Sequence, residues 1–453
     1  MSKWQTVELG DFLKLYRIEH RVQDQTIYKQ VTISKTKGIL FRGEKQGKNI
    51  GRKRQFLIDL DTYPNTLLFT RQGVFDGSIG IAPIEVNQCI VTENMPMMSV
   101  DTSIVEIEYL KKILISEYLF EKIRKLKIVG SAQKSIHERD LLKIEIKLPA
   151  KSEQVEICKK FNTLDIEHNE LTGEISSQQA ILKKLRQQIL QDAIEGKLTK
   201  DWREKNSDVE PASELLKRIQ SEKQQLIEDK KFKKGKKQIA SEGYKHDVIL
   251  PEVWTLPDLD DVTMYITDGT HQTPKYTLTG KMFLSAQNVK PFKFMPENHK
   301  YVSDDDFKGY TKNRKTEKGD LLVGRVGSKG ETAVVDQDLE FAIYVSLGLV
   351  KTFKDLTSPE YLAIVMNSPY GNNYATGNMS SLGASAGNFN LGRIRSFPVP
   401  FPPLQEQKEI VKKVEKLFAI CDQLEEQITS SQTNAEQLMQ SVLKEAFSQN
   451  SAA

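Results

Sequence analysis

The sequence predicts an α+β protein: two globular α/β domains separated by two long antiparallel coiled-coil helices, arranged as a pseudo-two-fold internal repeat. Three observations predict it. The segment beginning Pro149-Ala150-Lys151-Ser152-Glu153-Gln154 returns about 250 residues later as Pro402-Pro403-Leu404-Gln405-Glu406-Gln407, with about 15 of 41 aligned positions identical and no gap. Both copies carry apolar residues at alternating steps of three and four. The two stretches that precede the copies share an outline of short β-like runs, one helix and a closing strand. A repeat held at fixed offset over a whole unit means duplication, and duplication in one chain means an internal two-fold or a tandem array.

The repeated segment reads as a helix. Its stripe runs Ile157, Phe161, Leu164, Leu171, Ile175, Leu182, Leu185, Ile189 in the first copy, and Ile410, Val414, Leu417, Leu424, Ile428, Ala435, Leu438, Val442 in the second. A period of 3.5 is a heptad seam and predicts a left-handed supercoil. His168, Gln178 and Ser431 interrupt it, as register-fixing polar residues do. About 40 residues make a helix roughly 60 Å long, which needs a partner for its apolar face. The other copy is that partner, and the globular segment between them lets the chain return antiparallel. Proline at each start fits a first helical turn. A heptad stripe by itself signifies no more than helix packing; two copies joined to two similar globular segments signify two modules carried on one pair of helices.

Composition sets further bounds. The chain has 453 residues, 38% hydrophobic and 28% charged, enough for two to four domains with cores of their own. A net charge of +4 does not by itself demand a polyanionic partner. Cys89, Cys158 and Cys421 lie far apart with no CxxC, which fits a reducing cytoplasm rather than a disulfide or zinc framework. With no apolar leader after Met1 and no run near 18 apolar residues, a cytoplasmic location is expected.

The expected boundaries are 1–150 for the first domain, 151–202 for the first helix region, 203–250 for a polar, basic linker, 251–403 for the second domain and 404–447 for the second helix region. In the first domain, strands are expected at Phe56-Leu57-Ile58, Thr66 to Thr70, Ile79 to Ala82 and Lys143 to Pro149, and one amphipathic helix over Ile104 to Leu126. The second domain echoes it: Trp254 answers Trp4, Gly319 to Arg325 answers Tyr63 to Arg71, and a helix at Pro359 to Asn367 takes the first helix's place. The matched tryptophans read as core anchors. In the linker, Ser213 to Ile219 suggests a short helix, and the basic run from Lys230 reads as a solvated linker or a weak phosphate attractor.

No GxxxxGK[ST], no Asn/Asp-Pro-Pro-Tyr/Phe and no His-Glu-x-x-His occurs. Gly324 to Gly330 is glycine-rich with the wrong spacing for a phosphate cradle, and Asp304-Asp305-Asp306 reads as a solvated turn. The pattern is that of a binding scaffold, not an enzyme.

Several segments resemble the specificity (S) subunit of type I restriction-modification enzymes. They are the Glu-Gln helix starts, Gly196-Lys197-Leu198-Thr199, Ala212 to Lys223, Asp268-Gly269-Thr270-His271-Gln272-Thr273-Pro274, and Phe401 to Gln407. The resemblance covers nearly the whole chain, and its strongest part is the order module, long helix, module, long helix. The first module departs from it, having no Asp-Gly-Thr-His. The resemblance implies that each module is a target recognition domain reading one half of a bipartite site on double-stranded DNA. The paired helices would set the unspecified spacer. Two modification (methyltransferase) subunits and the restriction (ATP-dependent translocase/nuclease) subunits would assemble on the chain. S-adenosylmethionine, ATP and Mg2+ would belong to those partners, with no cofactor or metal bound here. Two readers held at most ~60 Å apart could span successive major grooves, which recur every ~34–36 Å.

Arg and Lys suit phosphates and guanine edges, and Asn and Gln suit adenine edges. On that chemistry the expected DNA contacts are Arg71 and Gln72 after a strand, and Gln133, Lys134 and His137 in a Gly-rich loop. In the second module they are His271, Gln272 and Thr273, then Arg325, Ser328 and Lys329, and Asn388 and Asn390. The alternative is an S-like interaction scaffold that binds modification subunits without reading DNA.

Overall fold

The computed structural model describes residues 4–35, 38–51, 53–126, 135–229, 231, 235–237, 248–379 and 387–448. The chain divides into two compact units, residues 1–177 with 428–453, and residues 178–427. Each unit therefore takes one globular module, the near part of one long helix and the far part of the other.

The first module runs β1 (Gln5–Glu8), β2 (Leu13–Tyr16), β3 (Glu19–His20), β4 (Ile27–Ser34), β5 (Gly38–Gln46), β6 (Gln55–Leu57), β7 (Thr66–Phe69), β8 (Ile79–Ile81), β9 (Ile90–Thr92) and β10 (Met97–Val100). Then follow α1 (Ile107–Leu114), α2 (Glu117–Lys125), α3 (Glu138–Leu142), β11 (Glu145–Leu148) and the long α4 (Lys151–Ile194). A four-stranded antiparallel sheet, β2-β10-β7-β8, shares the module with a five-stranded sheet, β3-β6-β9-β4-β5, and the pair β1-β11. Thr66 to Phe69 are buried at every position, as a strand covered on both faces requires. One core lies between this sheet and the helices. It includes Phe12, Tyr109, Cys158 and Phe161, closed by Leu443 and Phe447 from the end of the second long helix. The ring of Phe447 stands 5.4 Å from Tyr109 and 5.9 Å from Phe161. Well-placed aromatic pairs each add about 0.5–1.5 kcal/mol beyond their buried area.

The second unit runs α5 (Lys200–Lys205), α6 (Ala212–Glu228), β12 (Tyr265–Asp268), β13 (Lys281–Leu284), β14 (Val289–Lys290), β15 (Lys293–Phe294), β16 (Lys300–Val302), α7 (Asp304–Thr311), β17 (Leu321–Gly324), β18 (Thr332–Val334), β19 (Phe341–Ile343) and β20 (Leu347–Lys351). It closes with α8 (Pro359–Asn367), α9 (Pro369–Gly377), α10 (Leu391–Arg395) and the long α11 (Leu404–Ser448). Its central sheet, β12-β20-β17-β18, repeats the order and antiparallel sense of β2-β10-β7-β8. The helices repeat too. Ser116 and Ser368 are fully buried between consecutive helices, and each donates its hydroxyl to a carbonyl three residues back, Ile113 and Val365, at 2.7 Å. Each also accepts a backbone N–H from the next helix, as an N-cap does.

Three expectations on element bounds are corrected. The helix expected over Ile104 to Leu126 is two helices, because Ser116 ends one and caps the next. The first long helix stops at Ile194, where Gly196 takes a φ of +70°, and a short α5 follows. Residues 212–228 of the expected linker are α6, a 17-residue helix that buries Ala212, Leu215 and Ile219, and residues 230 and 232–234 of the basic run lie outside the described residues. Lys223 on α6 pairs with Asp260 of the second module at 3.2 Å.

The repeated helix starts act as clamps. Glu153 accepts the indole N–H of Trp4 at 3.1 Å, and Glu406 accepts that of Trp254 at 2.9 Å. Gln154 and Gln407 are fully buried. Each donates to the carbonyl five residues back, Pro149 and Pro402, at 3.0 Å. Each accepts the backbone N–H at the start of a module helix, Glu106 before α1 at 2.7 Å and Ser358 before α8 at 3.0 Å. Trp254 is buried, as expected of a core anchor, whereas Trp4 is half-buried.

In the second unit α4 and α11 run antiparallel. Arg186 meets Asp422 and Glu425 at 2.6 and 2.9 Å, the carbonyl of Leu198 takes Lys413 at 2.8 Å, and Thr199 donates to Glu406 at 2.7 Å. The stripe, expected as the coiled-coil or subunit interface, is buried only in part. Phe161, Ile175, Leu182, Ile410 and Val414 are buried, but Leu171, Leu185, Leu424 and Leu438 are 40–65% exposed. These four form two equivalent pairs of the repeat, so both copies leave the same positions open.

Candidate nucleic-acid interface

Arg71 and Arg325 follow the matched strands β7 and β17, and the backbone holds both in one way. The N–H of Arg71 goes to the carbonyl of Asn94 at 3.1 Å, and that of Arg325 to Ser346 at 2.9 Å. Both arginine carbonyls are also engaged, each by a third residue. The carbonyl of Arg71 accepts from Ile136 at 2.9 Å, and that of Arg325 from Phe389 at 2.8 Å. Ile136 and Phe389 each stand two residues before a short helix, α3 or α10. In each module, then, the arginine pins the chain that enters this helix onto the end of a central strand.

The side chains differ. Nη2 of Arg71 donates to both oxygens of Glu138, at 2.8 and 3.0 Å, and Nη2 of Arg17 reaches the same carboxylate at 3.0 Å. Burial opposes ionisation of Glu138, yet the hydrogen bonds and charges of the two arginines hold its carboxyl below the ordinary range. Arg325 is 6% exposed. It gives Nη1 to Asp268 at 2.5 Å and to the carbonyl of Val345 at 2.9 Å, and Nε to the carbonyl of Phe389 at 3.1 Å. Two cations and one anion meet in the first module, and one buried pair in the second. The rigid guanidinium of Arg325 places Nη1 and Nε on a carboxylate and two carbonyls at fixed angles, which a lysine could not do.

The remaining expected contacts fall as follows. His271 is 71% exposed in its side chain and lies 3.0 Å from Asp268, so the acid that holds Arg325 also holds this outward ring. Gln272 and Thr273 are exposed beside it. Gln72 and His137 are exposed at the first residues of their helical turns. Lys329 is exposed in the turn between β17 and β18, where Gly330 has a φ of +77°. Gln133 and Lys134 lie outside the described residues. Three expectations are corrected. Arg325 is an interior positioning residue, because all its partners lie within the module. Ser328 is turned to its own loop, its Oγ accepting from the N–H of Glu331 at 3.1 Å. Asn390 caps α10, accepting from Arg393 at 3.0 Å. Asn388 is half-buried and bridges Val326. The Asp304-Asp305-Asp306 run is the first turn of α7, capped by Ser303, where acidic residues favour the helix dipole.

Sequence reading missed Glu138 and the partnership of Asp268, since each pairs with an arginine more than 50 positions away. The matched arginines were the available signal. Among the described residues no group of three acidic, His or Cys side chains could hold a metal ion, and no helix is long and apolar enough to cross a membrane.

Comparison with known proteins agrees with this geometry. The chain is 30% identical over 272 residues to the EcoAI type I restriction enzyme specificity subunit of Escherichia coli, covering 58% of this chain and 44% of that protein. It is 26% identical over 317 residues to the EcoBI specificity subunit of the same organism, covering 69% and 60%. The chain thus spans about half the length of the relatives it matches. A solved structure described by its work on complex assembly and conformational transition of the type I R-M system shares the fold, with a TM-score of 0.54 at 15% identity over 99% of this chain and 98% of that one. The model of the type I restriction modification DNA specificity domain matches residues 1–180 and again 251–431, so the chain belongs to that family, with the domain present twice.

Proposed function

We propose that this chain is the DNA specificity subunit of a type I restriction-modification complex. Each module reads one half of a bipartite target, and the paired helices set the spacer and dock methyltransferase subunits. The observation that carries the reading is the duplication of one arginine-pinned sheet within a family of DNA specificity domains. A shared frame with unlike loops is how binding specificity is varied on a constant scaffold. His271, Gln272 and Thr273 in the second module, and Gln72 and His137 in the first, are exposed and suited to base edges or phosphates.

The open apolar positions support the docking role. Leu171 and Leu438 are exposed in the first unit, and their equivalents Leu424 and Leu185 in the second, giving two like surfaces for two like subunits. Catalysis then belongs to those partners, which would bring S-adenosylmethionine, ATP and Mg2+.

The test is to co-express the chain with its cognate modification subunit and map N6-methyladenine across the genome. A single bipartite motif with a fixed gap, lost when this chain is omitted, is expected. A stable complex that methylates no motif would refute the reading.

A further inference from the structure

The hairpin of β4 and β5 and the turn after it concentrate positive charge. Residues 27–54 hold nine Lys and Arg and one acidic residue, Glu44. Lys29, Lys35, Arg42, Lys45, Lys48 and Arg54 are all exposed. None of these six is paired with a carboxylate among the described residues. In the second module, by comparison, three of the five strand lysines are paired with carboxylates: Lys281 with Glu340 at 2.5 Å, Lys290 with Glu331 at 3.6 Å and Lys351 with Asp320 at 2.8 Å.

The backbone gives the charge a shape. β5 is an edge strand, and β4 meets its other neighbour β9 at one ladder position, Gln30↔Ile90. Val31, Ile33 and Ile39 are buried and root the hairpin in the core. Between Gln30↔Gly43 and Val31↔Phe41 the register slips, so Arg42 is the extra residue of a β-bulge, followed by Gly43 at a φ of +129°. A bulge strengthens the twist of a ribbon and re-aims the side chain it carries. Eight residues extend roughly 26 Å, and a twisted two-stranded ribbon fits a major groove about 12 Å wide. One or two lysines suffice to keep an edge strand from pairing with another chain. Nine basic residues against one acid exceed that need.

We propose that the β4–β5 hairpin of the first module, with Arg42 on its bulge, is a sequence-independent phosphate-binding ribbon that holds duplex DNA against the module. This rests on the reading of the modules as DNA recognition domains and assigns the hairpin a role apart from base reading.

The experiment substitutes Arg42→Gln, Lys45→Gln and Lys48→Gln together in the full chain, in complex with its modification subunit. Binding is measured over a salt series on a duplex bearing the target and on one with both halves scrambled. A parallel Lys45→Arg, Lys48→Arg variant keeps the charge. The triple variant should bind both duplexes about tenfold or more weakly, with the slope of log K against log salt reduced by about 0.9 for each phosphate no longer neutralised. The methylated motif should not change, and the arginine variant should behave as the parent. Unchanged affinity and slope would overturn the proposal and leave the charges as guards of an edge strand. An altered first half-site with an unchanged slope would also overturn it, because the hairpin would then read bases. If the unsubstituted complex prefers neither duplex, the recognition reading itself fails, whatever the slope.

Discussion

The buried pair of Asp268 and Arg325 links a core contact to an outward ring. With both side chains nearly excluded from water, removing one charge leaves the other uncompensated, at a cost of about 3–5 kcal/mol. Asp268→Ala should therefore lower the stability of the second module by that order in urea titration, and free His271 as well. In the methylation map it should degrade the second half-site while the first persists. Arg71→Ala should act in mirror image, on the first half alone. The first module adds a pH dependence. Glu138 has a folded pKa below its unfolded value, so its contribution to stability is full above the ordinary carboxylate range and is lost as pH falls through the depressed value. Glu138→Gln should lower stability at pH 7 and flatten the acid limb of the first module's unfolding below the ordinary carboxylate range. An acid limb as steep in the variant as in the parent would assign that limb to other carboxylates.

The long helices begin with a device that serves the modules as much as the helices. Gln154 and Gln407 each close a proline carbonyl and the first N–H of a module helix. Replacement by alanine strands those groups in a dry site, at about 1–3 kcal/mol for each one left unpaired. Gln407→Ala should then speed hydrogen exchange at the Ser358 amide and along α8, with β17 and β20 less affected. Protection unchanged at Ser358 would mean that water replaces the glutamine. The device also marks how far sequence reading reaches. The Glu-Gln pair is legible as a helix start because it recurs in frame, and Trp254 as a core anchor. Its partners are not, since Trp4 and Glu153 are 149 positions apart and no local pattern encodes such a contact. The helix ends mislead for a related reason. Apolar spacing runs through Ser116 without a break, and only the buried hydroxyl between two helices shows the stop. The heptad stripe is legible as periodicity, but period alone does not say which leucines meet a helix and which stay open. That is why the stripe puts Leu171, Leu185, Leu424 and Leu438 in the seam. The arginines stand out by their place after matched strands. The burial of Arg325 escapes sequence reading because it depends on Asp268, Val345 and Phe389, three separate stretches of chain.

At the scale of the whole chain, the duplication makes one prediction that the separate modules cannot. If the paired helices set the spacer, changing their length should change the gap and nothing else about the target. The repeat supplies equivalent, exposed insertion points at Ser177 and Ser430, identical in the two copies. One heptad added at both points keeps every apolar position in phase, because seven residues restore the 3.5-residue seam. It lengthens each helix by about 10.5 Å, close to three base pairs at about 3.4 Å each. The modified complex should methylate the same two half-sites with a gap about three base pairs longer. Adding three residues at one point alone puts the seam out of phase, so it should weaken the complex instead of giving an intermediate gap. The methylation map reads both outcomes directly. An unchanged gap after the paired insertion would take the spacer away from the helices and assign it to the loops of the modules, whereas a new half-site would show that module and helix are not separable parts.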